Sequence, residues 1–159
     1  VAPLAGARVA AVLPGPFEVV VSDCLVSQVA WTCFRALGDG PLLMDVLDVA
    51  MAAHLRALVA LTRPGGRCLL VTDVASTEGL SAADGNVSTD LEGEALLARL
   101  GESRSLFSGT SPAVARSMLT GDPALTRHVS DVRLLAPWRW RIARDRTVLV
   151  YALGFSRRA

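Results

Sequence analysis

Two short apolar runs on either side of a long helical segment constrain the fold of this chain more than any other feature. The first run is FEVVV, residues 17–21, which lies between the turn signal PGP and the polar pair Ser22-Asp23. The second run is CLLV, residues 68–71. Continuous apolar runs of this length are typical of parallel strands buried on both faces. The sequence therefore predicts a strand–helix–strand crossover with two parallel strands and a right-handed connection.

A stripe of apolar residues at spacings of three and four predicts the helix between the two runs. Pro64 predicts the end of this helix, and Gly65-Gly66 predicts a tight turn into the second strand. His54 falls on the apolar stripe, which favours a hydrogen-bonded core histidine over a catalytic one. The stripe consists of Leu47, Met51, Leu55, Leu58 and Leu61.

The segment after the second strand is predicted to be a surface loop followed by two helices. The loop, ASTEGLSAADGNVSTD, is rich in Ser, Gly, Asp and Thr and follows a strand end, where such folds often carry function. Thr89 and Glu92 fit a capping box that opens a helix through LEGEALLARLGE. Ser111 and Pro112 predict the N-cap and first residue of a helix through PAVARSMLTG.

The C-terminal runs DVRLLAPWRWRI and RTVLVYALGF predict an antiparallel hairpin around the turn ARDR. Trp138 and Trp140 alternate with Arg139 and Arg141. Strand alternation predicts that one face buries both tryptophans while the other exposes both arginines. Surfaces of aromatic residues and arginine also bind nucleic acid. That interpretation is disfavoured, because the formal net charge is only +1.

Length and composition predict one globular domain over residues 1–159, because 159 residues of which 52% are hydrophobic can bury a sizeable core. The most apolar stretch, residues 41–61, is interrupted by two aspartates, a histidine and an arginine. A membrane span tolerates such residues poorly, so we expect no membrane association. The three cysteines form no C-x-x-C pair, which indicates neither a disulfide framework nor a metal site and favours a cytoplasmic protein.

The order of these elements resembles the C-terminal half of the class I S-adenosylmethionine-dependent methyltransferase fold. The resemblance is carried by FEVVVSDCLVSQ, LTRPGGRCLLVTDV, VRLLAPWRWRI and RTVLVYALGF. It implies a three-layer, Rossmann-like α/β domain in which these segments are strands four to seven. It also implies the sheet order four, five, seven, six, with an antiparallel hairpin at the end.

The family's cofactor loop has no counterpart in this sequence. The family holds S-adenosylmethionine with a glycine-rich loop after its first strand and an acidic residue at the end of its second. GDGPLL, which begins at Gly38, follows a helix-like segment and lacks the last glycine of G-x-G-x-x-G. The chain would therefore form one wall of the cofactor site. The strand at 17–21 would be an unpaired apolar edge, so we expect a truncated domain, a fragmentary gene product or a homodimer through that edge.

The resemblance implies site residues where the first strand ends. Ser22, Asp23 and Cys24 would lie nearest the methyl group of the cofactor. Asp23 would be the catalytic base or the group that orients the acceptor. Alternatively, Ser22 and Asp23 cap the following helix.

Candidate substrate contacts come from the next helix and from the second strand. Gln28 and Trp31 could supply an amide and an aromatic wall, while Thr72 and Asp73 end the second strand. The alternatives are a surface Gln28, a buried Trp31 and an Asp73 that begins a turn.

The first functional hypothesis is a parent domain that transfers a methyl group from S-adenosylmethionine to an unidentified acceptor. The alternative is a catalytically inactive methyltransferase-like remnant that acts as a binding or oligomerisation module. An α/β-hydrolase is a weaker third hypothesis, based on the chain order of Ser22, Asp73 and His128. Its nucleophile elbow requires glycine at positions 20 and 24, where this chain has Val20 and Cys24.

Overall fold

The computed structural model describes residues 12–76, 95, 110–144 and 146–159. The predicted helix through LEGEALLARLGE, its capping box at Thr89 and Glu92, and residues 77–90 of the predicted loop lie outside this part. No helix in the described ranges is both long enough and apolar enough to cross a membrane. In chain order the elements are β1 (Phe17–Asp23), α1 (Leu25–Leu37), α2 (Leu42–Leu61), β2 (Thr62–Ser76), α3 (Pro112–Gly121), α4 (Pro123–Thr126), β3 (Val129–Arg141) and β4 (Thr147–Arg157).

A single mixed sheet holds the four described strands in the order β1-β2-β4-β3. β1 is parallel to β2, and β4 is antiparallel to both of its neighbours. β3 therefore runs in the same direction as β1 and β2. The predicted strand order and the predicted closing hairpin are both confirmed.

The described helices pack on one face of this sheet. Most of their buried residues form one cluster with Val20 of β1, Leu70 of β2 and Leu153 of β4, while Ala30, Leu43 and Leu47 form a smaller one between α1 and α2. Neighbouring residues of a strand point to opposite faces, so Val150 and Ala152 face away from these helices. Both are buried but lie outside the cluster. The described residues thus show a sheet and one helical layer, and the second layer of the predicted three-layer fold does not occur among them.

The predicted apolar stripe is the buried side of α2. All five of its residues are buried, and Leu55 is fully so. The segment Gly38–Pro41 separates α2 from α1, so the predicted helical region is two helices. At the end of α2, the guanidinium of Arg157 donates to the carbonyl oxygens of Val59 and Ala60, at 3.2 and 3.4 Å. Carbonyl oxygens of the last turn of a helix lack hydrogen-bond donors within the helix, and Arg157 of β4 provides such a donor.

Helix α3 coincides with the predicted PAVARSMLTG, with Ser111 at its N-cap position and Pro112 as its first residue. The Ser111 side chain nevertheless makes no capping hydrogen bond. Asp122 makes one for α4, because its carboxylate accepts from the Ala124 N–H at 2.8 Å. The same carboxylate accepts from Arg56 of α2 at 2.7 Å. This ion pair joins α2 to the junction between α3 and α4.

The segment Arg63–Gly66 is a bulge inside β2, whereas the sequence predicts a turn before it. Phe17 pairs with Thr62, yet Val19 pairs with Arg67, so the extra β2 residues bulge out beside β1. Gly65 adopts a φ of +75° within this bulge. The helix therefore ends at Leu61, before the predicted Pro64, and the strand begins six residues before the predicted Cys68.

β1 is buried on one face only, so the prediction that both faces are buried is wrong. Val20 and Ser22 face the helices and are 9% and 6% exposed. Val19 and Val21 point the other way and are 58% and 55% exposed. The reason is that β1 is an edge strand, and no described element packs over its second face.

The predicted burial of Trp138 and Trp140 is also wrong. They are 40% and 44% exposed, while Arg139 and Arg141 are exposed on the other face of β3. The predicted alternation is present, but β3 is the second edge of the described sheet. Pro137 lies within a register shift of this strand, where the loss of a ladder donor is tolerated.

Candidate functional site

The carboxyl ends of β1 and β2 lie toward the same end of the sheet. Asp23 pairs with Val71, and the Cys24 N–H donates to the Val71 carbonyl at 2.9 Å. Asp73 follows two residues later on the same face of β2 as Val71. This end of the sheet therefore brings together three of the predicted site residues, Asp23, Cys24 and Asp73.

Cys24 is the N-cap residue of α1. Its φ of 50° lies in the left-handed region, and its side chain makes no capping hydrogen bond. The alternative that Ser22 and Asp23 cap this helix is therefore wrong. Asp23 is exposed at the end of β1, where its carboxylate is available to a ligand.

Asp73 is bound to the first turn of α1 by Ser27. The Ser27 hydroxyl donates to Asp73 Oδ1, and its oxygen also lies 3.1 Å from the Cys24 carbonyl oxygen. Sequence reasoning missed Ser27, because a serine three residues after the N-cap looks like any polar residue of a first turn. Asp73 does not begin a turn, since β2 continues to Ser76.

The Cys24 thiol is held in its protonated form. Burial, the hydrogen bond to Asp23 and the negative charge of Asp73 raise the pKa of Cys24 to about 12. The thiolate is the nucleophilic form of cysteine. At neutral pH this residue can therefore line a site but not attack a substrate.

We expect Cys24 to react slowly with iodoacetamide. At a pKa of about 12, roughly one thiol in ten thousand is ionised at about pH 8, against roughly a quarter of ordinary cysteines. Peptide-resolved mass spectrometry of a time course measures the rate. Asp73→Asn should accelerate the reaction, because the amide keeps the Ser27 contact and removes the charge. Labelling of Cys24 at the rate of a free thiol would contradict this electrostatic description.

Ser22 points to the opposite face from Asp23 and is buried beneath α2. Its Oγ lies 2.8 Å from His54 Nε2. Burial lowers the pKa of His54, which keeps the imidazole neutral at pH 7. The predicted hydrogen bond of His54 is confirmed, although the side chain is half-buried and lies outside the core cluster. Ser22 thus faces the helical layer, and its predicted role in cofactor binding stays a prediction.

This histidine makes stability dependent on pH. The unfolded chain takes up a proton at His54 near pH 6.5, whereas the folded protein does so only at lower pH. As pH falls below about 6.5, the unfolded state binds more protons and the free energy of unfolding falls, until the folded pKa is passed. Urea unfolding across this range measures the slope.

Two variants separate His54 from other groups. His54→Gln keeps a partner for Ser22 and should flatten the slope between about pH 5.5 and 7. His128→Gln changes an exposed histidine and should leave the slope as it is. A slope that His54→Gln does not change would show that another group causes it.

The remaining predicted substrate contacts are spread over two environments. Gln28 is exposed on α1, which agrees with the surface alternative. Trp31 is 60% exposed and stacks on Phe34 with ring centroids 5.7 Å apart, so the buried-Trp alternative is wrong. Thr72 is fully buried on the helical side of β2. The substrate roles of Gln28, Trp31, Thr72 and Asp73 stay predictions.

A shallow apolar cleft lies between α1 and α2, with His54 as its one polar residue. Such a lining offers little to orient a polar ligand. Within the described ranges, no group of three or more His, Cys, Asp or Glu side chains is arranged to hold a metal ion. The exposed carboxylate of Asp23, at the end of β1, is therefore the best candidate for chemistry among the described residues.

Comparison with protein-family models, with curated proteins and with solved structures finds no match to this chain. Its function is therefore inferred from the sheet and the strand-end residues themselves.

Proposed function

We propose that this chain is the C-terminal half of a class I S-adenosylmethionine-dependent methyltransferase domain. The complete domain would transfer a methyl group to an acceptor. The observation that carries the proposal is the strand order β1-β2-β4-β3, with β4 antiparallel between two strands of the opposite direction. This is the order that the resemblance implies for strands four, five, seven and six.

The outer side of β1 gives independent support. Val19 and Val21 are exposed on its uncovered face. Exposed edges with apolar side chains invite pairing with further chain. In a complete domain the first-half strands would continue the sheet beyond β1, and their helices would cover Val19 and Val21.

The strand-end residues suit one wall of such a site. S-adenosylmethionine supplies an electrophilic methyl group on a positively charged sulfur, and the carboxylates of Asp23 and Asp73 complement that charge. Asp73 is half-buried and bound by Ser27, whereas Asp23 is exposed, so Asp23 is the more accessible carboxylate. Asp23 would accept the proton of the acceptor or orient its nucleophilic atom. Cys24, held as a thiol, would line the cofactor side.

We also propose a cytoplasmic location for this protein. Its three cysteines, Cys24, Cys33 and Cys68, are all free thiols. Reducing compartments keep cysteines in this form.

The coding sequence upstream of Val1 tests the half-domain proposal. The expected result is a strand followed by a glycine-rich loop in the same reading frame. A protein extended by that segment should methylate its acceptor, and Asp23→Asn should reduce kcat about a hundredfold or more, as loss of a general base does. A start codon adjacent to Val1 would contradict the proposal.

The second candidate function, an oligomerising remnant, is favoured by the exposed edge of β1. Antiparallel pairing of two copies centred on Val20 would place Val19 opposite Val21 of the partner subunit. The same register would place Glu18 opposite Ser22 of the partner subunit, so no like charges would meet. A homodimer through residues 17–21 would therefore bury apolar side chains without a charge penalty.

Sedimentation equilibrium of the 159-residue chain tests this candidate. It predicts a dimer that Val19→Lys dissociates, because a lysine on an edge strand opposes pairing. Val49→Lys changes a comparably exposed valine on α2 and should leave the dimer intact. A monomer at all concentrations, or equal dissociation by both variants, would exclude the dimer.

A further inference from the structure

The tip of the β3–β4 hairpin concentrates aromatic rings and positive charge. We call residues 138–146 the Trp–Arg hairpin. It holds four of the sixteen basic residues of the chain and one acidic residue, Asp145. Trp138 and Trp140 are 40% and 44% exposed. Its arginines, which are all exposed, are Arg139, Arg141, Arg144 and Arg146.

The backbone of this tip is held in place by one of its own arginines. Arg141 donates from Nη2 to the Arg144 carbonyl oxygen at 2.8 Å and from Nε to the Ala143 carbonyl oxygen at 3.3 Å. The Ile142 and Ala143 N–H groups both donate to the Arg146 carbonyl oxygen, at 3.0 and 3.1 Å. These bonds fix the direction in which the hairpin presents its side chains.

The Trp–Arg hairpin lies at the same end of the sheet as the carboxyl ends of β1 and β2, because β3 runs parallel to both. Asp73 pairs with Val150, and Val150 pairs with Trp138. Directly paired residues share a face, so these three residues form one row across the sheet. Two strand spacings place Trp138 about 10 Å from Asp73.

The two tryptophans have the spacing of a base-stacking surface. Residues two apart on a strand share a face and lie about 7 Å from each other. Sheets that bind single-stranded RNA stack successive bases on aromatic residues placed in this way. Arginine guanidinium groups pair with phosphate oxygens in a bidentate geometry. The low net charge of the whole chain does not oppose this, because the positive charge is concentrated at the tip.

We infer that the Trp–Arg hairpin binds single-stranded nucleic acid, with bases stacked on Trp138 and Trp140 and phosphates bound by Arg144 and Arg146 at the tip. Single strands fit because their bases are open to stacking, whereas a duplex hides them. A membrane surface fits less well. Both rings are half-covered on a strand, so they offer a stacking surface and do not project as membrane anchors. This inference is independent of the methyltransferase proposal, because it concerns binding without S-adenosylmethionine.

Fluorescence anisotropy of a labelled single-stranded oligothymidylate, titrated with the full chain at low salt, tests the inference. We expect a dissociation constant of roughly 1–100 μM. Trp140→Ala should weaken binding about tenfold, and Trp140→Phe should restore most of the affinity. Removing two phosphate contacts with Arg144→Ala and Arg146→Ala should reduce the magnitude of the slope of log K against log salt concentration by about 1.4.

Phe34→Ala is the matched control, because it removes an aromatic ring of similar exposure (41%) from α1 and should leave oligonucleotide affinity unchanged. Circular dichroism of each variant checks that the fold is retained. The inference is overturned if anisotropy does not change up to about 100 μM protein. It is also overturned if Phe34→Ala weakens binding as much as Trp140→Ala, or if phosphatidylserine vesicles bind the hairpin and the oligonucleotide does not.

Discussion

Replacing Leu55 with alanine is expected to lower the free energy of unfolding by about 3 kcal/mol. Leu55 is fully buried in α2, within the cluster that joins the helices to the sheet. The substitution removes apolar burial and leaves a cavity that rigid neighbours fill only in part. Urea unfolding followed by circular dichroism measures the change.

Leu42→Ala is the control for this prediction. Leu42 lies in the same helix but is 64% exposed, so its loss should change stability by about 0.5 kcal/mol or less. Similar losses for Leu42→Ala and Leu55→Ala would contradict the orientation of α2 on the sheet.

Replacing Gly66 with alanine is expected to cost about 2–3 kcal/mol. A Cβ at this position would lie 2.7 Å from Thr62 Cγ2, 2.8 Å from the Glu18 carbonyl oxygen and 2.9 Å from the Arg63 carbonyl oxygen. Two of these three atoms belong to the backbone, so relief requires β1 or the bulge to move. Thermal and urea unfolding should both show the loss.

Two further glycines separate crowding from backbone conformation. Gly65 has open space around it but a φ of +75°, so Gly65→Ala should cost about 1 kcal/mol. Gly121, at the end of α3, has neither constraint, and Gly121→Ala should be nearly neutral. A loss for Gly65→Ala that equals or exceeds that for Gly66→Ala would contradict the geometry of the bulge.

Periodicity was sufficient to predict the helical layer and the strand–helix–strand crossover. Apolar residues at spacings of three and four, from Leu47 to Leu61, lie on one side of a helix, and that side is buried in the fold. The parallel β1–β2 pair and the antiparallel hairpin were also predictable, because a crossover gives parallel neighbours and a short charged turn gives a hairpin. The position of β4 between β2 and β3 was implied only by the family resemblance. The bulge at Gly66 could not be predicted, since a Pro-Gly-Gly run fits a turn and a bulge equally well.

Burial on the strands could not be predicted, because it depends on what lies beyond each edge. Val19 and Trp138 look like core residues in the sequence, yet both lie on edge strands and are exposed. A strand pattern shows which residues share a face but not whether a second layer covers that face.

The candidate site was predictable only at the level of strand ends. Asp23 and Asp73 do lie close together beyond the Asp23–Val71 pair, as parallel neighbours require, although β2 continues to Ser76. Ser27 and the left-handed Cys24 were missed, because both depend on how α1 leaves β1. Ser22 and Thr72 face the helices, as strand alternation directs, and their predicted site roles stay predictions.

Calorimetric titration with S-adenosylhomocysteine, the demethylated cofactor, tests the central claim most directly. The claim predicts that the 159-residue chain shows no tight binding, whereas a protein extended upstream of Val1 binds one equivalent per chain. Tight one-to-one binding by the 159-residue chain, or no binding by the extended protein, would contradict the account of this chain as half of a methyltransferase domain.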